Sequence, residues 1–205
     1  MSLKNIQELE KVVNSELASK VQKSVMNFGE LLIEIDTDDL SETIQFLKSN
    51  NQCKFRQLID IAGIDYPTEE KRFKLVYLLL SLENNLRIKI SINFETSKQI
   101  PSITKIFPSA NWMEREVFDM FGIKFKDHPD LRRILTDYNF KGYPLRKDFP
   151  LTGFSEVRYS EKNKKVIYEP VKLEQNYRNF DFESPWEGTQ YIKDLDKKNK
   201  NDKKN

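Results

Sequence analysis

The residues best able to do chemistry crowd between Ala110 and Pro150, in ANWMEREVFDMFGIKFKDHPDLRRILTDYNFKGYPLRKDFP. Wound as a helix at about 100° per residue, Trp112, Met113, Val117, Met120 and Phe121 cover one broad side. Glu116 then falls between Trp112 and Met120, and Glu114 between Phe118 and Phe121, with Asp119 close by. Carboxylates among large apolar side chains are costly to bury unless each meets a cation or several N–H donors. Arg115, Arg132, Arg133, Arg146 and Lys147 supply cations, and Asp148 a further acid. A planar guanidinium takes a carboxylate through two hydrogen bonds. The expected arrangement is therefore Glu114 and Glu116 paired with Arg132 or Arg133, pinning the following segment to the helix.

Two catalytic readings compete with this scaffold. Glu114, Glu116 and Asp119 could act as the acid and base of a glycosidase, but nothing nearby supplies a nucleophile or a substrate pocket. His128 could be a base; before Pro129 in a polar turn, a structural or capping role is the commoner one. The chain has one Cys, Cys53, and one His, so it lacks the four ligands of an iron–sulfur cluster or a closed zinc site. Its six glycines are nowhere closer than eleven residues apart, which excludes both a dinucleotide-binding turn and a phosphate-binding loop.

The elements that must position these residues read as an α+β domain over residues 1–128. Ile6, Leu9, Val13 and Leu17 mark an amphipathic helix. Phe28–Asp36 reads as a strand, and Asp39 opens a helix that ends near Asn50. Phe55–Ile64 is a second strand, stopped by Asp65-Tyr66-Pro67. Phe73–Leu82 is apolar on both faces and Leu86–Phe94 alternates, so the two form a hairpin through Glu83-Asn84-Asn85. A short helix at Pro101–Ile106 and a longer one at 109–121 complete a mostly antiparallel sheet backed by helices.

Beyond it the composition changes. Between Pro129 and Trp186 lie eleven of the 24 aromatic residues and five of the eight prolines. Prolines so spaced forbid long helices and central strands, yet the rings require cover. Residues 129–190 are thus expected to form a long extended arm, with a hairpin around Val157–Tyr168, lying on the chain's own domain or on partner subunits. Residues 191–205 read as a disordered Lys/Asn-rich tail.

The charge balance of 34 basic to 32 acidic residues is mostly a matter of that tail, since residues 193–205 hold six Lys and three Asp. An RNA-binding alternative would stack bases on the aromatics of 129–186, but eleven basic against nine acidic residues there give a weak field. No apolar run approaches the roughly 20 residues that span a bilayer. The N-terminus has neither an apolar signal core nor an Arg-rich presequence.

The same residues carry a family resemblance. Glu114-Arg115-Glu116, Asp119-Met120-Phe121-Gly122, His128 and Asp130-Leu131-Arg132-Arg133-Ile134 resemble the signature of the respiratory NADH dehydrogenase 30 kDa subunit family, a component of NADH-quinone oxidoreductase (complex I). So do Pro144 to Gly153, Phe180 to Trp186, and upstream Gly63 to Pro67 with Arg72-Phe73. Tyr143 departs from the family, whose members often have His there. The resemblance implies a structural subunit without cofactors of its own in the peripheral arm of the enzyme. FMN and iron–sulfur clusters would be held by partner subunits, and no activity is expected of the isolated chain. It implies packing on the 49 kDa homologue and on other peripheral-arm subunits, near the quinone site of a proton-translocating NADH:quinone oxidoreductase. Glu114, Arg115, Glu116, Asp119, His128, Arg132, Arg133, Arg146, Lys147 and Asp148 would be structural and interface residues. Nucleic acid would not be a partner. Membrane contact would be indirect, on the cytoplasmic side of the inner membrane in a bacterium or the matrix side in an organelle.

Overall fold

A computed structural model describes residues 3, 5–173 and 175. The chain divides into two units, Met1–Phe154 and Ser155–Asn205. The expected tail at 191–205 and the Phe180 to Trp186 motif lie outside the described residues.

The first unit begins with α1 (Ile6–Glu16), where the Asn5 side chain caps the helix by accepting from the Glu8 N–H at 2.9 Å. Leu9 and Val13 form its buried stripe. A strand that the sequence did not announce follows, β1 (Val21–Asn27), joined to β2 (Glu30–Ile35). β1 is an edge strand with little burial, so its hydrophobic alternation is weak. Phe28, expected to start a strand, instead forms the turn with Gly29. Both have positive φ, 50° and 76°, as a two-residue hairpin turn matched to strand twist requires, and the Phe28 ring is 97% exposed.

α2 (Leu40–Ser49) follows the expected bounds, but Asp39 makes no side-chain cap. Its backbone is already helical, at φ −86° and ψ −6°, rather than extended as in a typical cap. β3 (Gln57–Asp65), β4 (Phe73–Ser81) and β5 (Leu86–Phe94) complete a five-stranded sheet in the order β1-β2-β5-β4-β3. It is a mixed sheet. Three of its pairings are antiparallel, whereas β2 and β5 run parallel because α2, β3 and β4 intervene between them.

Register explains the core. Leu31, Ile88, Leu79 and Leu58 lie across one rung, Ile33, Ile90, Tyr77 and Ile61 across the next, and Ile92, Leu75 and Gly63 across a third. All but Gly63 are buried.

The short helix expected at 101–106 does not form. Ile100–Pro101 is β6, paired in parallel with Phe125–Lys126, β7. The Ser102 hydroxyl accepts from the Thr104 N–H, a local turn bond that competes with helix formation. α3 (Ala110–Phe121) then packs on β3, where the Phe121 ring comes within 2.7 Å of the position a Gly63 Cβ would occupy. A larger residue at 63 would push the helix off the sheet.

In the second unit, β8 (Ser155–Ser160) and β9 (Lys165–Pro170) form the expected hairpin. Arg158 donates to both carboxylate oxygens of Glu169 across it, at 2.6 and 3.1 Å.

Candidate functional site

α3 ends at Gly122, whose φ of 75° is the left-handed conformation that stops a helix. The chain then returns along the helix, and residues 130–149 are tied to it by a buried polar latch. Its centre is Asp119, fully buried and met by five donors. These are Arg133 Nη1 at 2.7 Å, the Ile134, Leu135 and Thr136 N–H groups at 3.0, 2.8 and 2.8 Å, and the Thr136 hydroxyl at 2.6 Å. Burial alone would raise the Asp119 pKa. The Thr136 hydroxyl, the backbone N–H groups and Arg133 outweigh it and hold the carboxyl well below the usual carboxylate range.

Arg133 continues the latch by donating to the Gly142 carbonyl at 3.0 Å and lying over the rings of Phe140 and Tyr143, 5.7 and 5.4 Å from their centroids. Arg115, on the same helix, donates to the carbonyls of Arg132 and Arg133, both at 3.1 Å. Arg146 donates to the Phe121 carbonyl at 2.6 Å and lies over Tyr143 and Phe73. A Cβ on Gly122 would meet the Tyr143 ring at 2.6 Å and Arg146 Nη2 at 2.7 Å, so the helix stop and the latch share one small space. Tyr143 thus serves as a ring face for two guanidinium groups.

A second anchor lies at the end of β3. Buried Asp65 accepts two bonds from Arg72, at 2.7 and 2.9 Å, and one from the Lys147 N–H at 2.7 Å. The Arg72 bonds hold its pKa below the usual value. Arg72 also meets Asp148 at 3.1 Å. Lys147 therefore contributes through its backbone.

The predicted partners are redistributed. Arg133 pairs with Asp119, not with Glu114 or Glu116, and Arg132 pairs with exposed Asp130 at 2.9 Å. Glu116 is exposed. Glu114 is fully buried, and its Oε1 accepts from the Ile103 N–H at 2.8 Å while Oε2 has no hydrogen-bond partner. His128 lies 3.8 Å from Oε2 without forming an ion pair. The Asp130 N–H donates to its Nδ1, which assigns the proton to Nε2, and Nε2 faces the Asn111 carbonyl. The ring is therefore neutral, in keeping with a pKa lowered chiefly by burial. Burial pushes the Glu114 carboxyl up to about 7, against the pull of the Ser102 hydroxyl and the Ile103 N–H.

Sequence reasoning named neither Asp65 nor Arg72 as a site residue. The nearest signal is the run Gly63 to Pro67, but its partner Lys147 stands 82 residues away. The arrangement spends its charges on internal hydrogen bonds, and what it does physically is fix a segment of irregular backbone to a helix.

An α+β unit carrying this strap is matched over residues 33–155 by the family described as respiratory-chain NADH dehydrogenase, 30 Kd subunit, and the chain belongs to that family. Its relatives include a protein of Chelativorans sp. (strain BNC1) named as one of the subunits of NADH-quinone oxidoreductase. It is 49% identical over 195 residues, covering 95% of this chain and 98% of that protein. The protein of the same name from Ruegeria pomeroyi is 56% identical over 173 residues, covering 84% and 86%. The fold recurs in a solved structure titled as the membrane-bound sulfane sulfur reductase, an archaeal respiratory membrane complex. That match has a TM-score of 0.63 at 23% identity and covers 84% of this chain and 98% of that one. The chain is thus a subunit of a respiratory NADH-quinone oxidoreductase, and among its described residues no helix is long and apolar enough to cross a membrane.

Proposed function

We propose that this chain is a structural subunit of the peripheral arm of proton-translocating NADH-quinone oxidoreductase, assembling and holding the quinone-reducing module together with the 49 kDa homologue. Flavin and iron–sulfur clusters belong to its partners, and electron transfer from NADH to quinone depends on the chain through assembly. It reaches the membrane indirectly, on the cytoplasmic side in a bacterium or the matrix side in an organelle.

The observation that carries this reading is the outer surface of the strap. While Arg115, Arg133 and Arg146 fasten 130–149 inward, Leu135, Tyr138 and Leu145 keep 52 to 78% of their surface exposed, and Leu151 and Phe154 just beyond keep 80 and 66%. A firmly anchored segment that presents large apolar side chains outward is the usual form of a protein interface. Against the RNA-binding alternative stands the commitment of those three arginines to carbonyls, rings and Asp119, which takes them from any phosphate.

The test is Arg133→Glu in the intact complex. Assembled complex and NADH:quinone reductase activity are expected to fall together. A complex that assembles at wild-type level with its activity lost would overturn the assembly role.

A further inference from the structure

The carboxylates near α3 are of two kinds. Asp65, Glu114 and Asp119 are buried and take donors from the chain itself. Asp60 and Glu116 are exposed, and among the described residues neither has an ion pair. The Asp60 carboxylate accepts only the adjacent Ile61 N–H.

These two acids line the same groove, one from β3 and one from α3, with a volume of about 210 Å³. Val117, Met120 and Phe121 give it apolar walls, and Leu145, 52% exposed, stands beside them. β3 is the edge strand of the sheet, and its ladder with β4 is interrupted by a register shift between Leu58 and Asp60, next to the groove. Bulges at sheet edges re-aim a side chain or end the pairing.

Size and charge together select the occupant. The groove is smaller than the roughly 300–1,000 Å³ of ligand pockets, which suits an inserted side chain better than a small molecule. Two negative charges flanking an apolar depression, with no ion pair to either among the described residues, are complementary to a cation beside an apolar knob. We propose that this groove docks a segment of a neighbouring subunit that inserts one apolar side chain and sets a lysine or arginine between Asp60 and Glu116. The proposal rests on the reading that the chain works inside a multisubunit assembly, and it adds a contact that meets the strap's outer surface at Leu145.

The experiment places a photo-crosslinking amino acid at position 60 of the full chain in the native complex and identifies the coupled peptide by mass spectrometry. A peptide of another subunit with a Lys or Arg next to an apolar residue is the expected result. Asp60→Lys should in parallel lower the salt concentration that strips the chain from the complex at least twofold, with the circular dichroism of the isolated chain unchanged. Absence of any adduct, an adduct to a second copy of this chain, or an adduct to an acidic segment would overturn the groove proposal, as would unchanged salt resistance. In each of those cases the unmodified chain still co-purifies with the complex. Failure to co-purify would instead strike at the assembly reading, and with it the groove.

Discussion

Replacing Glu114 by Gln removes a titration without removing the shape. The side chain is fully buried, its Oε1 accepts from the Ile103 N–H, and its Oε2 makes no hydrogen bond. The groups around it offer no positive charge in compensation. His128 is kept neutral chiefly by burial, with its Nδ1 accepting from the Asp130 N–H, the Tyr77 hydroxyl is itself buried without a partner, and Arg115 is committed to the carbonyls of Arg132 and Arg133. The folded chain therefore favours the neutral acid. With the carboxyl at 4.5 in an unfolded chain and about 7 in the folded one, the difference is worth about 3 kcal/mol. Its sign follows from proton binding. Between pH 4.5 and 7 the folded state holds a proton that the unfolded state releases, so this contribution is complete below pH 4.5 and is lost as pH rises toward 7. The Gln amide imitates the neutral acid and keeps an acceptor for Ile103. Urea unfolding of both proteins from pH 5 to 8 should show Glu114→Gln gaining on wild type by roughly 2–3 kcal/mol across that range and levelling above pH 7. Infrared spectroscopy at pH 6 should show a protonated carboxyl band that the variant lacks. A wild-type-to-variant difference constant from pH 5 to 8, or no such band, would refute the buried-acid argument.

Asp119→Asn should destabilise the first unit by about 3–5 kcal/mol in chemical denaturation, because it leaves the mostly buried Arg133 without its counter-charge and withdraws acceptor capacity from three N–H groups. Gly122→Ala should cost more than Gly153→Ala by calorimetry. Both have positive φ, but only at Gly122 would the new Cβ strike Tyr143 and Arg146, and an added 1–3 kcal/mol is roughly the usual scale of such overpacking. Cys53 is fully buried, and burial pushes its thiol up to about 11, so a thiol reagent at pH 8 should label it only as the chain unfolds; rapid labelling of the folded chain would contradict its placement.

Local pattern was a good guide wherever neighbours in sequence are also neighbours in space. The hairpin of β4 and β5, the spans of α2 and α3, and the β8–β9 hairpin were legible because alternation and helical spacing are short-range properties. β1 was not, because an exposed edge strand needs little hydrophobic alternation. The helix expected at 101–106 failed because β7, more than twenty residues later, offered its backbone to Ile100 and Pro101.

The candidate site divides in the same way. Composition alone decided that Glu114, Glu116 and Asp119 must either find donors or face water, since the energetic cost of an unpaired buried carboxylate does not depend on the fold. Which partner each would take was beyond the sequence. All three acids lie within six residues on one helix, and the arginines 132 and 133 are adjacent, so spacing cannot distinguish the possible pairs. The return of the chain after Gly122 set Asp119 against Arg133 and the turn at 134–136, left Glu116 outside, and enclosed Glu114 beside a neutral histidine. Residue types fixed the need for charge compensation; only tertiary geometry allotted the donors, because a hydrogen bond is made over about 3 Å in space and not over a count of residues.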